Sequence, residues 1–247
     1  MTTRPLRRLP ALLALALLVR GEARALQPPS TGGLRGDSAA IQDARAMVEA
    51  MGGLAVWREV RSLHFVHEWD HYQRIDRYLE NEILDLTAPR SYVTMESELY
   101  QRVRAYSEIG PYWNRVNGRF EVAGEDALAA ALERAPFSLY RIARAIAVGD
   151  SFYAVRYGPL PDVPGATALE FHGPDDRPHG WILLNRRKEP MIWATTQYAY
   201  SLGPLERYGN VLVPRWGSTG SGRVRYEMRS LTASRVRPDS TLFLPPS

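Results

Sequence analysis

The chain of 247 residues contains no cysteine, which excludes disulfides, thiolate metal sites, a cysteine nucleophile and the lipid-bearing cysteine of a bacterial lipoprotein. Lysine is nearly absent too: of 31 basic residues only Lys188 is one, a bias of GC-rich bacterial coding with no bearing on mechanism. Long apolar runs are also missing. The most apolar stretch, Leu9 to Val19, is too short for the roughly 20 helical residues that cross a bilayer.

That short run lies inside a recognisable export signal. Residues 1–25 carry Arg4, Arg7 and Arg8, then the apolar stretch, then Ala23 and Ala25 around a cleavage point, and read as a cleavable secretory signal peptide. Arg20 and Arg24 crowd the cut, so an uncleaved N-terminal anchor is the alternative. The segment holds five arginines and one glutamate, and without it the formal charge falls from +4 to zero. The pI of about 9.4 therefore belongs largely to the leader, and no basic surplus remains to argue for nucleic acid. The expected location is the periplasm.

Residues 26–36 are rich in Pro and Gly and read as a flexible linker, leaving 37–247 as a single domain with enough apolar residues to fill one core. Asp37 or Ser38 can cap a helix whose apolar positions Ile41, Ala44, Met47, Val48 and Met51 recur at helical spacing until Gly52-Gly53 stops it. From Val60 the period becomes two. Strands are expected near 63–70, 73–86, 91–95, 99–107, 119–123, 151–157, 166–172, 180–186, 191–199, 210–213 and 223–235, with Asn117-Gly118 a two-residue hairpin. Between the two strand series, Glu125 to Ala147 reads as a helix interrupted at Pro136. Closely spaced strands joined by turns give an α+β fold with a mainly antiparallel sheet.

The most conspicuous motif is His67-Glu68-Trp69-Asp70-His71, which matches the H-E-x-x-H spacing of zinc hydrolases. That chemistry requires a helix, whereas residues 63–70 alternate as a strand, where the two imidazoles stand about 13 Å apart. Gly149-Asp150-Ser151 with Asp176 and His179 follows the order of a hydrolase triad but not its spacing, and the Gly217 to Gly222 segment reads as a mobile hairpin loop. No catalytic set, cofactor or metal is expected from these residues.

The aromatic residues suggest more. Trp57, Phe65, Trp69, Trp113, Phe120, Trp181 and Trp193 fall on or beside strands at alternating positions that can face one apolar concavity, the setting a lipid or acyl chain needs.

Taken in order, the Met51-Gly52-Gly53 helix end, Trp57, Val60 to Leu63, Asp85 to Arg90, the central helices, Tyr208 to Pro214 and the closing Asp239 to Pro246 resemble the outer-membrane lipoprotein-sorting, LolA-like family of exported bacterial proteins. The resemblance implies an open half-barrel sheet of about 10–11 strands, helices over its concave face, a final strand reaching Phe243-x-x-Pro246, and a cavity for lipid or lipoprotein acyl chains. The function expected is a periplasmic carrier or binding protein without catalysis. Its partner would be a hydrophobic ligand, with a lipoprotein or envelope protein as a further partner. Two alternatives from other classes are a zinc hydrolase centred on His67, Glu68 and His71 and a structural or sensor protein with the same fold.

Overall fold

The structure, a computed structural model, describes residues 33–74, 76–159 and 163–246. The signal peptide expected over 1–25 and most of the linker lie outside the described residues. The chain runs β1 Arg35–Gly36, α1 Ser38–Ala50, α2 Leu54–Glu59, β2 Ser62–His71, β3 Tyr78–Asp85, β4 Arg90–Glu96, β5 Gln101–Ser107, β6 Gly110–Val116 and β7 Arg119–Val122. Then come α3 Glu125–Arg134, a 3-10 turn Ala135–Phe137, α4 Leu139–Val148, β8 Ala154–Tyr157, β9 Thr167–His172, β10 Pro178–Leu184, β11 Pro190–Thr195 and β12 Ala199–Leu202. The order closes with β13 Leu205–Tyr208, β14 Val211–Pro214, β15 Trp216–Thr219, β16 Val224–Ser234 and a 3-10 turn Ser240–Phe243.

Fourteen strands form one unclosed sheet in the order β1-β8-β9-β10-β11-β12-β15-β16-β2-β3-β4-β5-β6-β7, and β13 and β14 make a separate hairpin. Among the described residues only the β1–β8 pair is parallel. The architecture is thus α+β and mainly antiparallel, as the turn-punctuated sequence requires, with more strands than the expected 10–11. Its seam is the ladder between β2 and β16, two strands far apart in sequence, which pairs Ser62 with Ser234 at one end and His71 with Val224 at the other.

The helices share one sheet face. α4 lies against α1 and α2 and crosses from β3 and β4, where Arg141 donates to the carbonyls of Asp85 and Arg90, to β10, where Ile142 and Phe137 meet Gly180. Eight of its residues, from Leu139 to Ala147, are buried. With Leu63, Phe65, Leu169, Phe171, Ile182 and Leu231 from the sheet they form the core. The helix ends where Gly149 turns left-handed at φ 72°; the amides of Gly149 and Asp150 then donate back to Ile146 and Ala145, satisfying carbonyls that the helix leaves open.

Several expectations change at this point. Arg35–Gly36, placed in the linker by composition, pairs with Ala154 and Val155. Strand β6 was hidden by Gly110-Pro111, although the Asn117-Gly118 hairpin is present with both residues at positive φ, 47° and 84°. The Gly217 segment is not a loop throughout: Trp216–Thr219 is a strand between β12 and β16. Phe243 ends a 3-10 turn instead of a last strand. There its carbonyl accepts from the Trp113 indole and its ring is fully buried.

Candidate functional site

Between the helical face of the sheet and the α3–α4 elbow lies a cavity of about 470 Å³. The Pro136 break makes this elbow. It sets Ala131, Arg134 and Ala135 on one arm and Ser138, Leu139 and Tyr140 on the other, all lining the space. The opposite wall is built by strand alternation: β2 contributes Phe65, His67 and Trp69; β3 contributes Glu80, Glu82 and Leu84; β5 contributes Arg104 and Tyr106. Trp193, Tyr200 and Tyr226 close the side formed by β11, β12 and β16.

Tyr226 reaches the cavity because its cross-strand partner is Gly217, where a Cβ would stand 2.3 Å from the tyrosine ring. The ring stacks on His67, with centroids 4.2 Å apart, and leans on Trp69 at 5.0 Å. Trp193 stacks on Tyr200 and anchors its indole N–H on the Phe137 carbonyl at 2.9 Å.

The polar part of the lining is buried as well. His67, only 6 % exposed, has no hydrogen-bond partner on either ring nitrogen among the described residues, and burial pushes its pKa down to about 3, so the imidazole is neutral. Across the ladder from it, burial pushes the Glu80 carboxyl up to about 7 even though Arg104 Nη2 lies 3.7 Å away. The Trp69 indole N–H eases the Glu80 charge from beyond hydrogen-bonding reach and has no closer partner. The Ser138 hydroxyl, buried at the start of α4, is unpartnered and caps no backbone amide. Glu82 accepts from Ser91, Arg134 donates to Gln197, and all three donor nitrogens of Arg141 are spent on the carbonyls of Asp85, Ala135 and Arg90. Burial raises the Tyr140 and Tyr226 hydroxyls and takes Tyr200 up to about 12, so all three stay protonated at neutral pH.

Of the seven aromatic residues singled out by strand phase, the cavity brings together Phe65, Trp69 and Trp193. The other four stand elsewhere. Trp57 belongs to α2, fully buried, with its indole on the Met51 carbonyl. Trp113 is held by the C-terminal turn, Phe120 is 43 % exposed on the short β7, and Trp181 donates to Glu170. Trp181 and Trp193 differ because strands β10 and β11 place them in opposite phase: Ile182, not Trp181, pairs with Trp193. The alternation on β3 runs against hydrophobicity. Tyr78, Glu80, Glu82 and Leu84 share one face while Leu79, 49 % exposed, looks out, so a search for apolar phase passes over both carboxylates.

The H-E-x-x-H motif lies on β2, and the pleat splits it. His67 faces the cavity, whereas Glu68 sits on the outer face, paired to Arg77 and Arg229; the Arg229 hydrogen bond holds its carboxyl below the usual range. His71 stacks on Tyr72 at the strand end. Among the described residues no group of three or more His, Asp or Glu side chains is placed to hold a metal. The residues resembling a hydrolase triad are similarly dispersed, His179 bonding to Asp175 and Asp176 to Arg156.

No helix of the described residues is long and apolar enough to cross a membrane. No protein-family model matches the chain, and no curated protein matches it in sequence. Among solved structures, the chain is similar to a DUF1329 family protein from Desulfovibrio piger, at 7 % identity over 84 % of this chain and 97 % of that one, TM-score 0.48. It is also similar to a chain of the MucA/MucB complex of Pseudomonas aeruginosa, at 14 % identity over 85 % of this chain and 62 % of that one, TM-score 0.28. A further similar structure is an outer membrane lipoprotein-sorting protein domain from Vibrio parahaemolyticus, at 9 % identity over 82 % of this chain and 95 % of that one, TM-score 0.47.

Proposed function

We propose that the protein is a non-catalytic binding or carrier protein of the bacterial envelope, which takes the apolar part of a lipid, a lipoprotein acyl chain or a comparable molecule into the cavity beneath α3 and α4. The observation that carries this reading is the cavity itself. Its 470 Å³ falls within the range of about 300–1,000 Å³ that encloses small ligands. Phe65, Leu139, Tyr140 and Trp193 offer broad apolar surface. Each methylene buried there adds about 0.8 kcal/mol of driving force. The leader expected over residues 1–25 and the sequence resemblance to lipoprotein-sorting proteins support an envelope location. Within the lining, His67 is neutral and has no partner among the described residues, and the Tyr140, Tyr200 and Tyr226 hydroxyls stay protonated, so none of these four is an activated nucleophile.

The test is chemical. Protein purified without detergent is expected to carry a bound mass in native mass spectrometry that organic extraction removes, and the extracted protein to take up a fluorescent fatty acid. Trp193→Ala is expected to lower the melting temperature and to weaken uptake by the fraction that stays folded. Trp57→Ala is expected to cost about 3–5 kcal/mol of stability, leaving affinity of the folded fraction intact. A protein that is empty as isolated and ignores the probe refutes the reading.

A further inference from the structure

The polar groups in the cavity say what kind of head the bound molecule carries. Resting on the binding function above, we propose that the cavity selects an amphipathic molecule with an uncharged hydrogen-bonding head, such as an alcohol, ester or amide, which His67 and Ser138 hold while the apolar body lies against Phe65, Leu139 and Trp193.

Four observations converge on this assignment. First, His67 is only 6 % exposed, lines the cavity and leaves both nitrogens without a partner among the described residues, between the packed rings of Phe65 and Trp69 on its strand. Burying such a group unsatisfied costs about 1–3 kcal/mol, which a bound donor–acceptor group recovers. A neutral imidazole presents one donor and one acceptor, so it pairs best with a group offering both or either, without formal charge. Second, Ser138 contributes a hydroxyl from the opposite wall, without a partner among the described residues.

Third, the charged groups of the lining already have hydrogen-bond or ion-pair partners within the protein. Arg104 faces Glu80, Glu82 is bonded to Ser91, Arg134 to Gln197, and Arg141 to three backbone carbonyls. Fourth, the lining carries both signs, so a charged head of either sign meets a repelling group along with an attracting one: a carboxylate or phosphate confronts Glu82 beside the part-ionised Glu80, and an ammonium confronts Arg104 and Arg134. In a buried site such an encounter is not screened as it is at the surface.

A matched series of C12 chains tests the assignment: dodecan-1-ol, dodecanamide, dodecanoate and dodecylammonium, titrated at neutral pH into delipidated full-chain protein and read by tryptophan fluorescence and calorimetry. The alcohol and amide are expected to bind at least about tenfold more tightly than the two charged chains. His67→Leu is expected to remove that preference, leaving dodecanoate affinity unchanged, and His67→Gln to restore most of it. Should His67→Leu fail to fold, Ser138→Ala, which removes no helix cap, gives the same comparison with a smaller loss. Equal affinity across the series, tighter binding of a charged chain, or a preference that survives both His67→Leu and Ser138→Ala overturns the head-group assignment while the binding function stands. Failure of all four chains to bind overturns both.

Discussion

Glu80 sits in an environment that disfavours its carboxylate form. It is buried beside His67, Trp69, Glu82 and Arg104, and its carboxyl titrates near 7, above the value of about 4.3 expected in an unfolded chain. The folded protein therefore holds a proton over a pH range in which the unfolded chain has released it. A raised carboxyl favours folding below that range and weakens it as pH climbs from about 4.5 to about 7. Glu80→Gln has no such proton to lose. Urea unfolding at pH 5 and pH 8 is expected to show the native protein losing up to about 3 kcal/mol relative to the variant between the two conditions. Parallel behaviour of the two proteins would show that Glu80 is ionised throughout.

At the level of elements, two glycines separate conformational cost from steric cost. Gly149 closes α4 at φ 72°, with nothing nearer than 3.9 Å to an added Cβ, so Gly149→Ala is expected to cost about 1 kcal/mol in denaturant unfolding and leave ligand uptake alone. Gly217 has ordinary φ, but an added Cβ overlaps the Tyr226 ring, so Gly217→Ala is expected to displace that wall and impair uptake as well as stability by about 1–3 kcal/mol. An equal effect of both on uptake would argue against Tyr226 as part of the site. These residues also show how far the sequence could be read. The Pro136 break, the long helices, strand β2 and the Asn117-Gly118 hairpin carry strong local signals, and the structure has them all. Phe65, Trp69 and Trp193 were legible by strand phase, because alternation places them on the covered face. Glu80, Arg104 and Tyr226 were not. The first two invert the usual rule that the apolar phase points inward. The third depends on a cross-strand glycine whose role appears only once the register is known.

The whole molecule depends on one seam. Strands β2 to β7 form one side of the sheet and β1, β8 to β12 and β15 the other, and β16 is what joins them, lying between β15 and β2. It supplies Tyr226 to the cavity and Met228 and Leu231 to the core. A chain stopped before Val224 is expected to lose its single cooperative melt and to expose the edges of β2 and β15, which pair readily with other chains. Retention of a native-like transition in calorimetry would show instead that the two sides fold independently. The seam also sets a timetable. A strand that joins the halves of a sheet and follows all its other strands in chain order keeps the cavity from closing until it docks. The slow step of folding is then a long-range search by the C-terminal segment for a strand laid down some 160 residues earlier.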